Sequence, residues 1–398
     1  MKILAERAHN GEQSPLTGVE RITLTHYRNY ANLRLETDLL PVVLTGANGA
    51  GKTNLLEAIS FLAPGRGMRN ARLSEVTMRC GPDLISAENK SPYGWAVAAS
   101  VIKANGVIEL GTGLNGNNGD RRVVRVDGQN ARGQNALASE MGILWITPAM
   151  DRLFVEGSSA RRRFLDRMII ALDPDHAGRT AAYYQAIRQR RRLLEDGPHD
   201  DTWLHSLEDT MVRYGVSIAA ARRDIVKCLN SEVAVSASIF PSAILALDGV
   251  VEGWLDDMPA VDAEDALREL LIHHRELAAD SRETVVGVDG PHRTDLKVHM
   301  ASTGKAANEC STGEQKAILI SMILAQARLQ TVRRGLLPVL LLDEITAHLD
   351  DSRREALFEE LVAIQCQAWI TGTDRALFDS LRGRAQYFTV ESGTITAD

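Results

Sequence analysis

One ten-residue stretch limits this chain more than any other: residues 45–54, TGANGAGKTN. It fits the pattern G-x-x-x-x-G-K-[ST], with Gly46, Gly51, Lys52 and Thr53 at the fixed positions and Ala47, Asn48, Gly49 and Ala50 between them. Residues 41–45 (PVVLT) are a short apolar run that reads as a buried strand. From Asn54 onward Leu55, Leu56, Ile59 and Leu62 recur at helical spacing. Strand, glycine loop and helix form the setting in which backbone N–H groups turn inward on phosphates and the helix N-terminus adds its positive end. In that setting Lys52 reaches the β- and γ-phosphates of a nucleotide and the Thr53 hydroxyl holds Mg²⁺. Residues 45–54 are therefore the expected phosphate site, with ATP and Mg²⁺ as ligands.

Length and composition narrow the class. At 398 residues the chain exceeds one ordinary core, so two or three subdomains are expected. Hydrophobic content of 44% is that of a soluble globular protein, and no apolar run reaches membrane-spanning length. Residues 1–18 carry no sustained apolar segment and read as a flexible polar extension without a secretory signal. Cys80, Cys228, Cys310 and Cys366 show no C-x-x-C spacing, which argues against zinc and against a disulfide framework and for reduced thiols in a cytoplasmic setting. A formal net charge of −7 means that any nucleic-acid contact needs a local basic patch.

Two strands, near residues 20–24 and 32–37, precede the glycine loop. Arg28 and Asn29 fall in the turn between them, where a guanidinium would meet phosphate or base; an ordinary exposed turn has the same sequence. Strand-length segments at 95–102, 106–114 and 121–126 predict a meander of hairpins. Residues 65–135 hold ten Lys/Arg against six Asp/Glu, a basic excess in an acidic chain. After a strand at 144–146, the pattern turns helical at Ser158 for about a hundred residues, with helices expected at 181–194, 203–229 and 263–279. Residues 244–247 and 250–255 read as strands. Arginine runs at 161–163 and 188–192 are the candidates for phosphate-backbone contact, and residues 250–290 carry eleven Asp/Glu against three Lys/Arg.

The C-terminal part supplies the remaining chemistry. Residues 310–316, CSTGEQK, enter a strong helix; Ser311 is placed to cap it, and Gly313 allows a close approach to an anion. Residues 338–344, PVLLLDE, form an apolar strand ending in two carboxylates. Asp343 would sit at the sheet's C-terminal edge beside the glycine loop and hold Mg²⁺. Glu344 would orient and deprotonate an attacking water. Residues 368–374 form a further strand, with Thr371 placed to sense a γ-phosphate. The closing residues read as a terminal hairpin.

In order, GANGAGKT, CSTGEQK, VLLLDE and AHLD resemble the Walker A, signature, Walker B and D-loop segments of ABC-type ATPases. YRNY at 27–30, ARRRFLD at 160–166 and GPHRTD at 290–295 are similar to segments of the RecF family within that superfamily. The resemblance covers residues 19–398. It implies an α/β fold: an SMC-related ABC-type ATPase head with a mixed-sheet lobe and an inserted helical arm, but without the long coiled coil. The implied division is an N-lobe at 19–150, an arm at 151–285 and a C-lobe at 286–398. The resemblance also implies an ATP-dependent homodimer in which Ser311 and Gly313 of one copy close on the phosphate held by the other. Binding to gapped or junction DNA, slow hydrolysis, and work with RecR and RecO in loading RecA during DNA repair are further implications. Thr371 and Thr373 stand where the superfamily has a switch histidine, and Thr147-Pro148 where it has a glutamine, which points away from fast hydrolysis.

The alternative is the nucleotide-binding subunit of an ABC transporter. The roughly 260 residues between Lys52 and Ser311 speak against it. A long SMC or Rad50-type head would need sustained heptads, which are absent. A nuclease would need a second metal-binding carboxylate cluster.

Overall fold

The computed structural model describes residues 17–78, 94–115, 121–195, 201–235, 238–280 and 288–398. Residues 1–16 of the expected extension and Cys80 lie outside these. Thr17 and Gly18 do not belong to the extension: Thr17 is buried and Gly18 opens a strand. The chain divides into two compact units, Met1–Pro148 with Ala327–Asp398, and Ala149–Gln326.

The first unit begins with the antiparallel pair β1 (Gly18–Tyr27) and β2 (Tyr30–Glu36), whose tight turn holds His26 and Arg28 at positive φ. Next come β3 (Val42–Thr45) and helix α1 (Lys52–Ser60). Strands β4 (Trp95–Lys103), β5 (Gly106–Leu114), β6 (Arg122–Val126) and β7 (Gln129–Asn130) extend the first pair into a six-stranded antiparallel sheet, ordered β2-β1-β4-β5-β6-β7. Alternating burial along β4 gives one packed and one open face, as antiparallel strands allow. Tyr27 meets Phe61 and Trp95 edge-on, and Phe61 packs tilted against Trp95. Helix α2 (Asn135–Glu140) and strand β8 (Ile143–Ile146) end this part.

In the second unit α3 (Ser158–Leu172), α4 (His176–Glu195) and α5 (Asp201–Val235) are followed by β9 (Ala243–Asp248), α6 (Val250–Asp257), α7 (Ala260–Asp280) and β10 (Asp295–Met300). Residues 250–255, expected as a strand, are helical. Val251 is fully buried and Trp254 and Leu255 pack on the same cluster, so the i, i+3, i+4 spacing overrides the β-branched start. Strand β10 pairs antiparallel with β9. That pairing draws residues beyond 285 into this unit, which is why the unit exceeds the expected arm.

Buried charges organise its centre. Arg222 donates to both carboxylate oxygens of Asp166 at 2.9 Å and to the Pro291 carbonyl, with Glu252 at 3.6 Å. Arg161 makes a two-pronged pair with Asp295 at 2.7 and 2.9 Å, and Arg162 donates to the Thr294 carbonyl. Arg190 is buried against Glu208 and the Leu271 carbonyl. Arg161, Arg162 and Arg190, expected at phosphates, therefore hold the unit together. Of those runs, Arg163, Arg188, Arg191 and Arg192 stay exposed.

Helix α8 (Thr312–Arg334) carries the chain back to the first unit. There β11 (Val339–Leu342), α9 (Asp351–Ile364), β12 (Ala368–Thr371), β13 (Gln386–Glu391) and β14 (Thr394–Ala397) complete a second six-stranded sheet, β14-β13-β3-β12-β11-β8. Strands β13, β3, β12, β11 and β8 are parallel, and β14 closes the edge antiparallel. Strands β3, β8, β11 and β12 are buried at every position, which explains their unbroken apolar sequences. The Gln367 side-chain amide exchanges two 2.8 Å bonds with the Val19 backbone, tying this sheet to β1.

Replacing Arg222 by Met leaves the buried Glu252 without its cation and the half-buried Asp166 with His176 alone among the described residues. The full chain should lose about 3–5 kcal/mol, read as a lower urea midpoint for unfolding of the helical unit.

Candidate phosphate site

Parallel strands bring their C-terminal ends to one sheet edge, and β3, β12 and β11 are neighbours in that order. The end of β3 runs into the glycine loop. Gly46 has φ 139°, and a Cβ there would lie 2.3 Å from the Val390 carbonyl oxygen. Gly51 has φ 122°, and a Cβ there would meet the Asn29 amide at 2.5 Å. Both positions require glycine on two counts, backbone conformation and space. No side chain caps the start of α1, and the first N–H groups of a helix have no partner within it, as an anion site needs. Lys52 is buried, and its ammonium donates to the Gly46 and Ala47 carbonyls at 2.7 and 2.9 Å. Burial pulls its pKa down, against the Glu344 and Asp343 carboxylates that pull it up.

Three segments meet on Asp343. Its Oδ1 accepts from the Thr53 hydroxyl at 2.9 Å and from the Thr371 hydroxyl at 2.9 Å. The Thr371 hydroxyl in turn accepts the Glu344 backbone N–H at 2.8 Å. Glu344 has φ 49°, a left-handed conformation that costs a non-glycine residue about 1–2 kcal/mol. The Thr371 bond and the Ala347 N–H, which donates to the Glu344 carbonyl at 3.2 Å, fix that turn. The Glu344 side chain is exposed. Burial pushes the Asp343 carboxyl above its ordinary range; the two hydroxyl bonds pull it back, and the Glu344 carboxylate pushes it up again. A buried carboxylate beside a threonine hydroxyl, destabilised in its charged form, fits a divalent cation such as Mg²⁺.

The β1–β2 turn supplies the roof. Asn29 donates to the Ala50 carbonyl at 3.2 Å and accepts from the Asn54 amide at 2.7 Å. The Tyr30 hydroxyl donates to the Gly51 carbonyl at 3.0 Å, and the Gly393 N–H reaches Ala50 at 3.0 Å. Arg28, expected at phosphate or base, instead grips Glu57 with two bonds of 2.8 and 2.7 Å and the Glu75 carbonyl with a third at 3.0 Å. Glu57 is fully buried on α1, and the sequence reading overlooked it together with Tyr30. A lone acid among the apolar residues of that helix was the available signal. Thr371 is fully buried and its hydroxyl is committed on both sides, so it acts on a phosphate only through Asp343 and Glu344.

The structure thus joins Lys52, Thr53, Asp343, the Glu344 backbone and Thr371, with Asn29 and Asn54 bracing the loop. Ser311 and Gly313 belong to the second unit. Ser311 is exposed there and forms a capping box with Glu314, accepting its N–H at 3.3 Å and donating its own N–H to the carboxylate at 2.7 Å. Asp350 accepts the Arg353 N–H at 2.8 Å and caps α9. Among the described residues no group of His, Cys, Asp and Glu is arranged to hold a metal by itself, and no helix is long and apolar enough to cross a membrane.

A parallel sheet with this glycine loop, the carboxylate strand beside it and an antiparallel lobe in front defines an ATPase head of the ABC type. The family model described as the RecF/RecN/SMC N terminal domain matches residues 18–396. The DNA replication and repair protein RecF of Mesorhizobium japonicum is 44% identical over 382 residues, 95% of this chain and 97% of its own. The Agrobacterium fabrum protein of the same name is 45% identical over 383 residues, 95% and 98% of the two chains. The chain belongs to the RecF family. The fold matches a solved structure of the recombination mediator protein RecF-ATP in the RecFOR pathway with a TM-score of 0.81, at 21% identity over 98% of this chain and 100% of that one. It matches the Smc head domain from Pyrococcus furiosus at 0.51, with 14% identity over 96% of each. The relatives extend through the arm, so the transporter alternative is set aside.

Because Asp343 titrates above an exposed aspartate, the nucleotide-free fold bears the cost of a buried carboxylate at every pH above its folded value. That cost disappears as pH falls through this value towards the ordinary aspartate range. Asp343→Asn keeps the oxygen that accepts from Thr53 and Thr371. It should raise the melting temperature of the ligand-free protein at neutral pH, with the gain shrinking on acidification.

Proposed function

We propose that the protein is an ATP-gated DNA-binding switch of recombinational repair and replication. ATP binds residues 46–54 of one copy, and Ser311 and Gly313 of a second copy complete the site, so that nucleotide holds two heads together. The closed homodimer engages gapped or junction DNA and acts with RecO and RecR in loading RecA; slow hydrolysis releases it. The observation that carries this reading is the convergence of Thr53, Thr371 and the Glu344 amide around Asp343. The names of the relatives, DNA replication and repair protein and recombination mediator, support the biological setting.

Each residue has a role that its placement suits. Lys52 and the α1 N-terminus neutralise phosphate charge. Mg²⁺, held by Thr53 and Asp343, would offset the charge that develops on the phosphates. Glu344 takes a proton from the attacking water. Thr371 stands where a histidine would serve a faster enzyme, and its hydroxyl is already committed to Asp343, which favours a slow switch.

Sedimentation of the purified protein with ATP, with ADP, and with ATP plus gapped duplex tests the reading directly. The protein should dimerise with ATP alone among the nucleotides and then take up DNA; a species unchanged by nucleotide and free of DNA would overturn it. Lys52→Arg should weaken the ATP-driven dimer, and Glu344→Gln should lengthen its lifetime. Thr371→Val removes the hydroxyl behind Asp343 and should lower Mg²⁺-dependent ATP affinity roughly 10- to 100-fold, measured by titration calorimetry.

A further inference from the structure

One concavity of the first unit is lined by no residue of the glycine loop. It is a cavity of about 1120 Å³, bounded by the loop after α1, strand β6 and the turn leading into α2. Five arginines line it: Arg66, Arg72, Arg121, Arg122 and Arg132. Among the described residues, none that lines it is acidic or aromatic. Arg66, Arg121 and Arg132 are exposed and make no ion pair among the described residues; Arg72 has only a 4.0 Å approach to Glu75. In a chain of net charge −7, a cavity wall with this composition is a pronounced local exception.

Arg122 makes the exception structural. It is buried with no carboxylate partner among the described residues, and its donors go to the Thr112 hydroxyl at 2.7 Å, the Gly65 carbonyl at 2.6 Å, the Gln134 amide oxygen at 3.0 Å and the Phe61 and Ala63 carbonyls. The same Gln134 oxygen accepts the Gly65 N–H at 2.8 Å. These bonds staple the three walls together, so the exposed arginines are presented from a fixed frame. A buried cation whose bonds all go to neutral oxygens also leaves its charge uncompensated behind the cavity floor. Burial lowers the Arg122 pKa to about 10, which still keeps it charged at neutral pH.

The occupant follows from the lining. The volume lies above the roughly 300–1,000 Å³ of ordinary small-ligand clefts, and the wall sets five arginines beside Leu73, Val123, Val124 and Ala131, whereas such ligands use predominantly apolar walls. Arginine matches phosphate oxygens with a planar fork. With no aromatic ring in the wall there is no platform for unstacked bases, on which single-strand binding depends. We propose that this arginine-lined cavity docks the sugar-phosphate backbone of duplex DNA, the double-stranded flank of the bound site, without reading bases. The proposal rests on the DNA-binding reading above and assigns it a surface.

The test uses the full chain with ATP and compares a plain duplex with a single-stranded oligonucleotide by fluorescence anisotropy over a salt series. Arg66→Ala/Arg121→Ala/Arg132→Ala removes exposed charge and leaves the Arg122 staple in place. Duplex affinity should fall, and the slope of log affinity against log salt should become shallower by about 2–3. Single-strand binding and ATP-driven association should be unchanged, and the matching triple lysine variant should keep the slope. A triple alanine variant with the duplex affinity and slope of the parent would overturn the assignment and leave the DNA-binding reading standing. Equal loss for single strands would overturn the choice of duplex. A parent protein that takes up no duplex with ATP would overturn both readings.

Discussion

Asp343 accepting from Thr53 and from Thr371 is the contact on which the candidate site depends. Three chain segments separated by up to 318 residues converge there because β3, β12 and β11 are adjacent and parallel. The register pairs Leu342 with Ile370 and Ile370 with Val43, so all three strands deliver their ends to one edge. The fully apolar strands drive the sheet together by burial. The same burial leaves Asp343 short of solvation, and its raised pKa records that cost. A carboxylate kept in this condition is poised for a cation.

Around that contact the rigid parts are polar and specific. Asn29, Tyr30 and Gly393 hold the glycine loop by its own carbonyls, so the loop's shape is fixed from outside. Arg28 and Glu57 form the buried brace beneath them. The antiparallel lobe thus belongs to the phosphate site as its scaffold. In the second unit, residues of ARRRFLD and GPHRTD meet through Arg161–Asp295 and Arg162–Thr294, while Asp166 reaches Pro291 by way of Arg222. Those family segments are the unit's internal clamps. A motif dense in arginine need not face a ligand, because a guanidinium offers five donors and satisfies buried carbonyls and carboxylates equally well.

Much of the fold was legible, for identifiable reasons. Strands β3, β8 and β11 read directly from unbroken apolar runs, and the helices of the second unit from their period. Thr53 and Asp343 were legible as partners because the glycine loop and the carboxylate strand each admit few roles. Thr371 lies beside Asp343, but its burial was hidden, since a threonine at a strand end has the same sequence whether it faces a ligand or a neighbouring aspartate. Residues 250–255 misled because Val250 and Val251 have strand preference in isolation, and only packing against the helical core made them a helix. Arg161, Arg162 and Arg190 misled for a related reason: charge patterning cannot distinguish solvent from a partner on another element, whether Asp295, the Thr294 carbonyl or Glu208.

By itself the sequence determined the phosphate loop, the strands that flank it, the order of the ATPase segments and the helical insertion. Each is set by local spacing and by glycines whose backbone freedom no other residue offers. The tertiary structure alone decided which charges are spent internally and which face outward. Arg28, Arg161, Arg190 and Arg222 are bound by acids of other elements, whereas Arg66, Arg121 and Arg132 surround a cavity with no acid in its wall among the described residues. The physical reason is that the partner of a charge is chosen by proximity in space. That proximity is fixed only when the sheets and helices have packed.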